Sequence, residues 1–222
     1  KGSLSYDENL KWIKDNTTQL STYAKNINKN LWNETQEIIK QLNNEFAIKQ
    51  KENILMGGSA CLPLLYFIIK LYKPKIAVET GVAAGHSTKT ILFAMHKNGF
   101  GKLFSSDLPY IRLKNSDQYI GYVVDDYLKI NWSLFNKGDK YNLPKIINNV
   151  DMIDLFHYDS DKTYKGKKFA LELIIPKLSS NGIVVIDDIE DNSFFYDFIK
   201  DNDVHNWKIF QYGSKYIGFI QT

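Results

Sequence analysis

Two short stretches carry most of the acidic chemistry: Asp154-Leu-Phe-His-Tyr-Asp-Ser-Asp-Lys-Thr-Tyr and Ile183-Val-Val-Ile-Asp-Asp-Ile. In each, an apolar run gives way to aspartate, at Asp159 in the first and at Asp187 and Asp188 in the second. Acids directly after an apolar strand are costly to place without a role. If the two runs are neighbouring strands, the three carboxylates converge on one edge and repel each other unless a cation or protons intervene. Hard oxygen ligands with room for water suit Mg²⁺. Such an ion orients a substrate hydroxyl and lowers its pKa. Asp159, Asp187 and Asp188 are therefore the candidate metal ligands. Lys162, three residues beyond Asp159, is the candidate base, and Lys162 and Asp159 form the candidate catalytic pair. A nearby cation lowers a lysine pKa and neighbouring Asp159 and Asp161 raise it, and the sequence leaves that balance open. His86, His96 and His205 show no partner spacing, and His157 is expected to point away from Asp159, with Tyr158 between them.

A second constellation surrounds Ile76-Ala-Val-Glu-Thr-Gly-Val-Ala-Ala-Gly-His-Ser-Thr. A short apolar run enters a small-residue turn that opens a helix. Gly81 and Gly85 let the backbone pass close to a ligand, and the helix start at Ser87 offers free amides to polar or anionic groups. Glu79 precedes the first glycine, where a carboxylate repels a pyrophosphate and suits an ammonium group. Ala83 replaces the middle glycine of the dinucleotide-binding pattern. Both features disfavour a nicotinamide cofactor. Asp107 ends the next apolar run, Leu103-Phe-Ser-Ser-Asp, where an acid can accept hydrogen bonds from both hydroxyls of an adenosine ribose.

These residues need a scaffold that gathers strand ends. Strands are expected at 75–80, 102–107, 132–135, 152–158 and 182–186, and helices at 61–71, 87–97, 143–148, 165–178 and 194–199. Alternation of this kind implies a mostly parallel sheet covered on both faces. A closing hairpin, 207–212 and 216–220 around Gly213-Ser214, adds antiparallel pairing. Residues 6–52 show helical spacing of Leu10, Ile13, Leu20, Tyr23, Ile27, Leu31, Ile38 and Leu42, and predict two or three helices. The expected fold class is thus α/β: a Rossmann-like, seven-stranded, mostly parallel sheet with helices on both faces, an antiparallel C-terminal hairpin and an N-terminal helical extension. The extension, or lid, spans 1–52 and the catalytic domain 53–222. The opening Lys1-Gly2-Ser3 is left out of this fold reasoning.

Bulk properties narrow the function classes. The chain has 222 residues and a net charge of +3, with its basic residues scattered. That argues against a nucleic-acid partner. Cys61 is the only cysteine, which excludes an intrachain disulfide and a cysteine metal cluster and favours a reducing cytoplasm. The longest apolar stretch, Cys61 to Tyr72, is broken by Pro63 and Lys70 and is too short to cross a bilayer. The expected partner is a small-molecule or sugar acceptor, with a homo-oligomer left open and no membrane partner.

Taken in order, Val78 to Thr88, Gly138-Asp139, Asp154 to Lys162 and Val185 to Ile189 resemble the class I S-adenosylmethionine-dependent methyltransferases. The nearest likeness is to small metal-dependent O-methyltransferases, the group of catechol O-methyltransferase and of the sugar O-methyltransferases of antibiotic pathways. The resemblance covers roughly residues 52–222. It implies that Glu79, Gly81, Gly85 and Ser87 hold the methionine part of S-adenosylmethionine, that Asp107 meets the ribose, and that Gly138 and Asp139 meet the adenine. It implies a divalent metal, Mg²⁺, on Asp159, Asp187 and Asp188. Sugar-modifying relatives often carry histidine three residues after the first metal aspartate, whereas catechol-type enzymes carry a lysine base there, as Lys162 does. The expected reaction is O-methylation of a small-molecule or sugar hydroxyl. A nicotinamide-dependent Rossmann oxidoreductase and a non-catalytic nucleoside-binding module are the rival readings.

Overall fold

The computed structural model describes residues 2–51, 53–58, 60–110 and 114–222. Glu52, the expected end of the N-terminal extension, lies outside the described residues, as do Ser59 and residues 111–113.

Helix α1 (Tyr6–Asp15) opens with a reciprocal cap: the Glu8 N–H donates to Ser5 Oγ, and the Ser5 N–H donates to Glu8 Oε2 at 2.9 Å. Strand β1 (Thr17–Thr18) leads into α2 (Leu20–Lys51), which bends where Asn28 leaves helical geometry. The Asn28 side chain accepts the Leu31 N–H at 3.0 Å, so it caps the restarted helix. Helix α3 (Leu62–Tyr72) is buried over most of its length and stops at left-handed Lys73, before Pro74. Then come β2 (Ile76–Thr80), α4 (His86–Asn98), β3 (Lys102–Ser106), α5 (Asp126–Lys129) and β4 (Trp132–Phe135). The second half holds α6 (Asp139–Asn148), β5 (Ile153–Tyr158), α7 (Tyr164–Ile174), β6 (Leu178–Ile186), α8 (Phe194–Asp201), β7 (Trp207–Tyr212) and β8 (Lys215–Gln221).

The strands form one sheet in the order β1-β7-β8-β6-β5-β2-β3-β4. Only β8 runs antiparallel to its neighbours β6 and β7. The chain begins the central sheet at β2, steps outward to β4, and returns to lay β5 on the other side of β2. That reversal between β2 and β5 is where such a sheet opens a crevice. The sheet has eight strands where seven were expected. The extra one, β1, is two residues long and pairs in parallel with β7 at Ile209 and Phe210. Two residues show no alternation, so the pattern gives no signal for it.

Strand alternation sorts the core into two layers. Ala77, Leu103, Leu155, Ile183 and Val185 face α2, α3 and α4 in one apolar cluster. Val78, Phe104, Phe156, Val184 and Ile186 face α1, α6, α7 and α8 in the other. The N-terminal helices therefore share their cores with the sheet. Ser3, set aside on sequence, also belongs to the fold: its N–H and hydroxyl both donate to the Asp197 carboxylate.

Gly218 of β8 lies under the Phe195 ring of α8, and a Cβ there would come within 2.4 Å of that ring. Gly218→Ala is expected to lower stability by about 1–3 kcal/mol through overpacking, measured by urea unfolding. An unchanged midpoint would show that α8 can shift freely.

Candidate active site

Parallel register builds the site. Phe135, Ser106, Thr80, Tyr158 and Ile186 are lateral partners across β4, β3, β2, β5 and β6. The next residue of each strand continues the ladder: Asp107 N–H to Phe135 O, Gly81 N–H to Ser106 O, Asp159 N–H to Thr80 O and Asp187 N–H to Tyr158 O, at 2.9–3.1 Å. Asp107, Gly81, Asp159 and Asp187 thus stand in one row along the carboxyl edge.

A cavity of about 1030 Å³ opens over Asp107, Gly81 and Asp159, with Asp187 buried and outside its lining. Single-ligand pockets usually occupy roughly 300–1,000 Å³, so this one has space for two small molecules. Gly81, Ser87, Asp107, Gly138, Asp139, Asp159 and Lys162 all line it, together with Lys215, which the sequence reading missed. No helix of the described residues is long and apolar enough to cross a membrane.

At one end, Asp107 accepts the Ala83 N–H and the Leu108 N–H, each at 2.7 Å. Burial pushes its carboxyl above the usual range, and the two amides pull the other way. It therefore ties the glycine turn to β3 and still presents free lone pairs to the cavity. Gly81 has φ +81°, and a Cβ there would lie 1.9 Å from the Asp159 carbonyl oxygen. Ala83 accepts a left-handed φ of +47° without being glycine. Asp139 turns its carboxylate inward, taking the Ser106 hydroxyl at 2.6 Å and the Ser160 hydroxyl at 2.5 Å.

Two of the expected cofactor residues lie outside the cavity lining. Glu79 is fully buried and does not face the cavity. Its Oε2 accepts Thr88 Oγ1 at 2.6 Å and Ser105 Oγ at 2.9 Å, so it braces the turn from beneath. Gly85 lies at the head of α4, where a Cβ would meet Gly121 Cα at 2.8 Å, so its smallness serves that packing.

The acid end is also rearranged. His157 is fully buried, with Nδ1 3.5 Å from Glu79 Oε1 and Nε2 3.5 Å from Asp187 Oδ1. The expectation that it points away from Asp159 fails because residues two apart share a strand face; His157, Asp159 and Asp187 form one group with ligand atoms within 4.8 Å of each other. The signal was available, since Glu79 and Ser105 are lateral partners, Glu79 and His157 are lateral partners, and all lie on the α4 face. Burial alone would push the His157 imidazole down, but Asp187 and then Glu79 carry it up to about 10.

Asp188 does not join this group. It takes a left-handed φ of 53° and turns to Lys162 (Nζ to Oδ2, 2.8 Å) and Lys215 (Nζ to Oδ1, 3.4 Å). The sequence-expected trio is thus reduced to a pair. The pair itself fits a divalent cation: both Asp187 oxygens are buried with no hydrogen-bond partner among the described residues. Burial, followed by repulsion from Asp187, pushes Asp159 up to about 7. Lys162 is held above its ordinary range, first by its hydrogen bond to Asp188.

Strand order, the glycine turn and the edge row define a Rossmann-like methyltransferase fold. The chain belongs to the methyltransferase domain family, whose model matches residues 78–189, just over half of its length. Among solved structures it resembles a candidate caffeoyl-CoA O-methyltransferase from Staphylococcus aureus (TM-score 0.64, 12% identity, 85% of this chain and 99% of that one). It also resembles an O-methyltransferase from Bacillus cereus in complex with SAH (0.61, 13%, 95% and 100%). A third is the O-methyltransferase TomG from Streptomyces achromogenes, involved in tomaymycin synthesis and in complex with SAM (0.59, 12%, 82% and 89%). No curated protein matches the sequence.

The raised Asp159 carboxyl has a consequence for stability. The folded chain keeps that proton to about pH 7, while an unfolded chain releases it near 3.8. Stability from this group is therefore full below 3.8 and is lost as pH rises to 7. In chelator, Asp159→Asn is expected to melt several degrees above the parent at pH 8 and to converge with it towards pH 4, by scanning calorimetry. Parallel curves over that range would contradict the assignment.

Proposed function

We propose that the protein transfers the methyl group of S-adenosylmethionine to a hydroxyl oxygen of a small-molecule or sugar acceptor. The observation that carries this reading is the single row in which Gly81 and Asp107 stand beside Asp159, under a cavity large enough for cofactor and acceptor together. Asp107 is suited to the ribose hydroxyls, and Gly81 and Ser87 to the methionine part. Gly138 and Asp139, which line the same cavity, are assigned to the adenine. In the reaction the acceptor hydroxyl releases its proton to solvent, its oxygen forms the O–CH₃ bond, and the S–CH₃ electron pair stays on sulfur. The chain contributes chiefly by alignment and exclusion of water.

Asp159 and Asp187 are the residues that would hold a divalent cation, Mg²⁺ by ligand type. When bound, such an ion supplies Lewis acidity toward the acceptor oxygen. Lys162 is the side chain we assign to that oxygen. Its pairing with Asp188 favours the ammonium form, which opposes the base role expected from sequence and suits stabilisation of developing negative charge. The family match removes support from the nicotinamide alternative.

Radiolabelled methyl transfer to catechol, caffeoyl-CoA and free sugars, with and without chelator, tests the activity. Transfer that stops in chelator and returns with Mg²⁺ is expected. Absence of transfer to every hydroxyl acceptor would favour a module that binds and does not catalyse. The two ends of the cavity should also separate in mutants. Asp107→Ala is expected to weaken SAH binding about ten- to a hundred-fold, the loss of a charge-assisted hydrogen bond. Lys162→Met should leave SAH affinity intact and slow turnover by about a hundred-fold or more, the loss of a group that stabilises developing charge. Calorimetry and single-turnover rates would refute the assignment if both mutants behaved alike.

A further inference from the structure

Five buried side-chain atoms under the carboxyl edge have no hydrogen-bond partner among the described residues. They are Glu79 Oε1, both ring nitrogens of His157 and both carboxylate oxygens of Asp187. They follow one another in space. Glu79 Oε1 stands 3.5 Å from His157 Nδ1, and His157 Nε2 stands 3.5 Å from Asp187 Oδ1. A buried imidazolium paired with carboxylates would close to hydrogen bonds of about 2.7–2.9 Å. Neither side of this ring does so. Buried polar groups are normally satisfied, so five in a row point to a ligand that completes them.

The spacing indicates what that ligand is. Imidazole nitrogen and carboxylate oxygen bind an ion such as Zn²⁺ at about 2.0–2.2 Å, which sets neighbouring ligand atoms roughly 3–4 Å apart. The separation of Nε2 from Asp187 Oδ1 falls in that range. One ligand atom each from His157, Asp159 and Asp187 lies within 4.8 Å of the others. Asp159 lines the cavity and gives an ion its way in. On the far side of the ring, Glu79 stands where a metal-bound histidine places the acceptor for its second N–H. Thr88 and Ser105 hold that carboxylate through its other oxygen.

We propose that His157 Nε2 is a third ligand of the cation site, that Glu79 orients it, and that the site selects a divalent transition metal over Mg²⁺. The inference rests on the divalent-cation reading given under the proposed function, and it replaces an all-oxygen site by one imidazole and two carboxylates. Imidazole suits Zn²⁺, Fe²⁺ and Ni²⁺, whereas Mg²⁺ favours carboxylates and water. Binding sends the Nε2 proton to solvent. Two carboxylates and a neutral imidazole then balance the ion's charge.

The test loads tag-free protein with Mn²⁺ and reads pulsed EPR for a directly bonded nitrogen. It also compares Co²⁺ with Mg²⁺ affinity by calorimetry. One Mn²⁺ per chain with a nitrogen coupling is expected. His157→Gln should abolish that coupling and lower the Co²⁺ preference over Mg²⁺ ten-fold or more. Glu79→Gln should keep the coupling and weaken Co²⁺ binding about ten- to a hundred-fold. The chain has three other histidines, His86, His96 and His205. The triple variant that replaces them with Gln should keep the coupling, which isolates His157 even if His157→Gln does not fold. Mn²⁺ bound without a nitrogen coupling, a coupling lost in the triple variant, or an unchanged Co²⁺ preference in folded His157→Gln would each overturn the proposal and leave an oxygen-only cation site standing. Binding of no divalent ion at all would overturn the cation reading itself.

Discussion

β2 and β5 run side by side in register, and the loops that follow them must pass within touching distance. Gly81 and the Asp159 carbonyl meet at a spacing that excludes a side chain. That contact brings the turn after β2 and the acids after β5 into one crevice. Gly81 also has a left-handed φ of +81°, which glycine adopts without strain. Everything polar in the site is placed relative to this approach. Asp107 ties the turn from the β3 side, Thr80 anchors the Asp159 N–H from below, and Ser160 bridges to Asp139.

Beneath the edge row lies a second polar layer that sees no solvent. Ser105, Glu79 and His157 replace apolar residues on the sheet face that packs against α4, and Trp132 and Thr88 close the layer through Ser105 and Glu79. One imidazole between two buried carboxylates leaves a net negative charge, and the Asp187 oxygens have no other partner among the described residues. Breaking a buried ion pair from one side costs about 3–5 kcal/mol in general. The layer is therefore a strong constraint on which residues can stand at the edge above it. It joins the elements around the glycine turn to the acid pair through direct contacts, so the two ends of the cavity share one rigid floor.

Much of this was legible in the sequence because the strands after residue 75 are short apolar runs, each ended by a functional residue or a turn. The α/β alternation, the hairpin around Gly213 and the row Gly81, Asp107, Asp159 and Asp187 all follow from that punctuation. What stayed hidden has identifiable causes. β1 is too short for any period. Lys215 sits in the hairpin, far along the chain from the acids it approaches, and nothing local marks it. Glu79 was placed in the cavity because its position at a strand end suggests exposure. Its parity puts it beside Ser105 and His157 instead, where lateral hydrogen bonds hold it inward. His157 was misread through the same omission of parity.

The adjacent Asp187 and Asp188 show how one backbone angle divides a motif. Asp187 continues the strand, so its side chain stays on the face that holds His157 and Asp159. Asp188 then takes a left-handed conformation, which aspartate tolerates better than most residues. That step throws its carboxylate to the other side of the edge, toward Lys162 and Lys215. Two identical residues become, respectively, a member of a buried acid pair beside His157 and an anchor for two ammonium groups. A linear reading assigns both to one metal set, since spacing alone does not distinguish them. The fold separates them because Asp187 keeps the strand register beside His157, while the left-handed backbone at Asp188 carries the second carboxylate to Lys162 and Lys215.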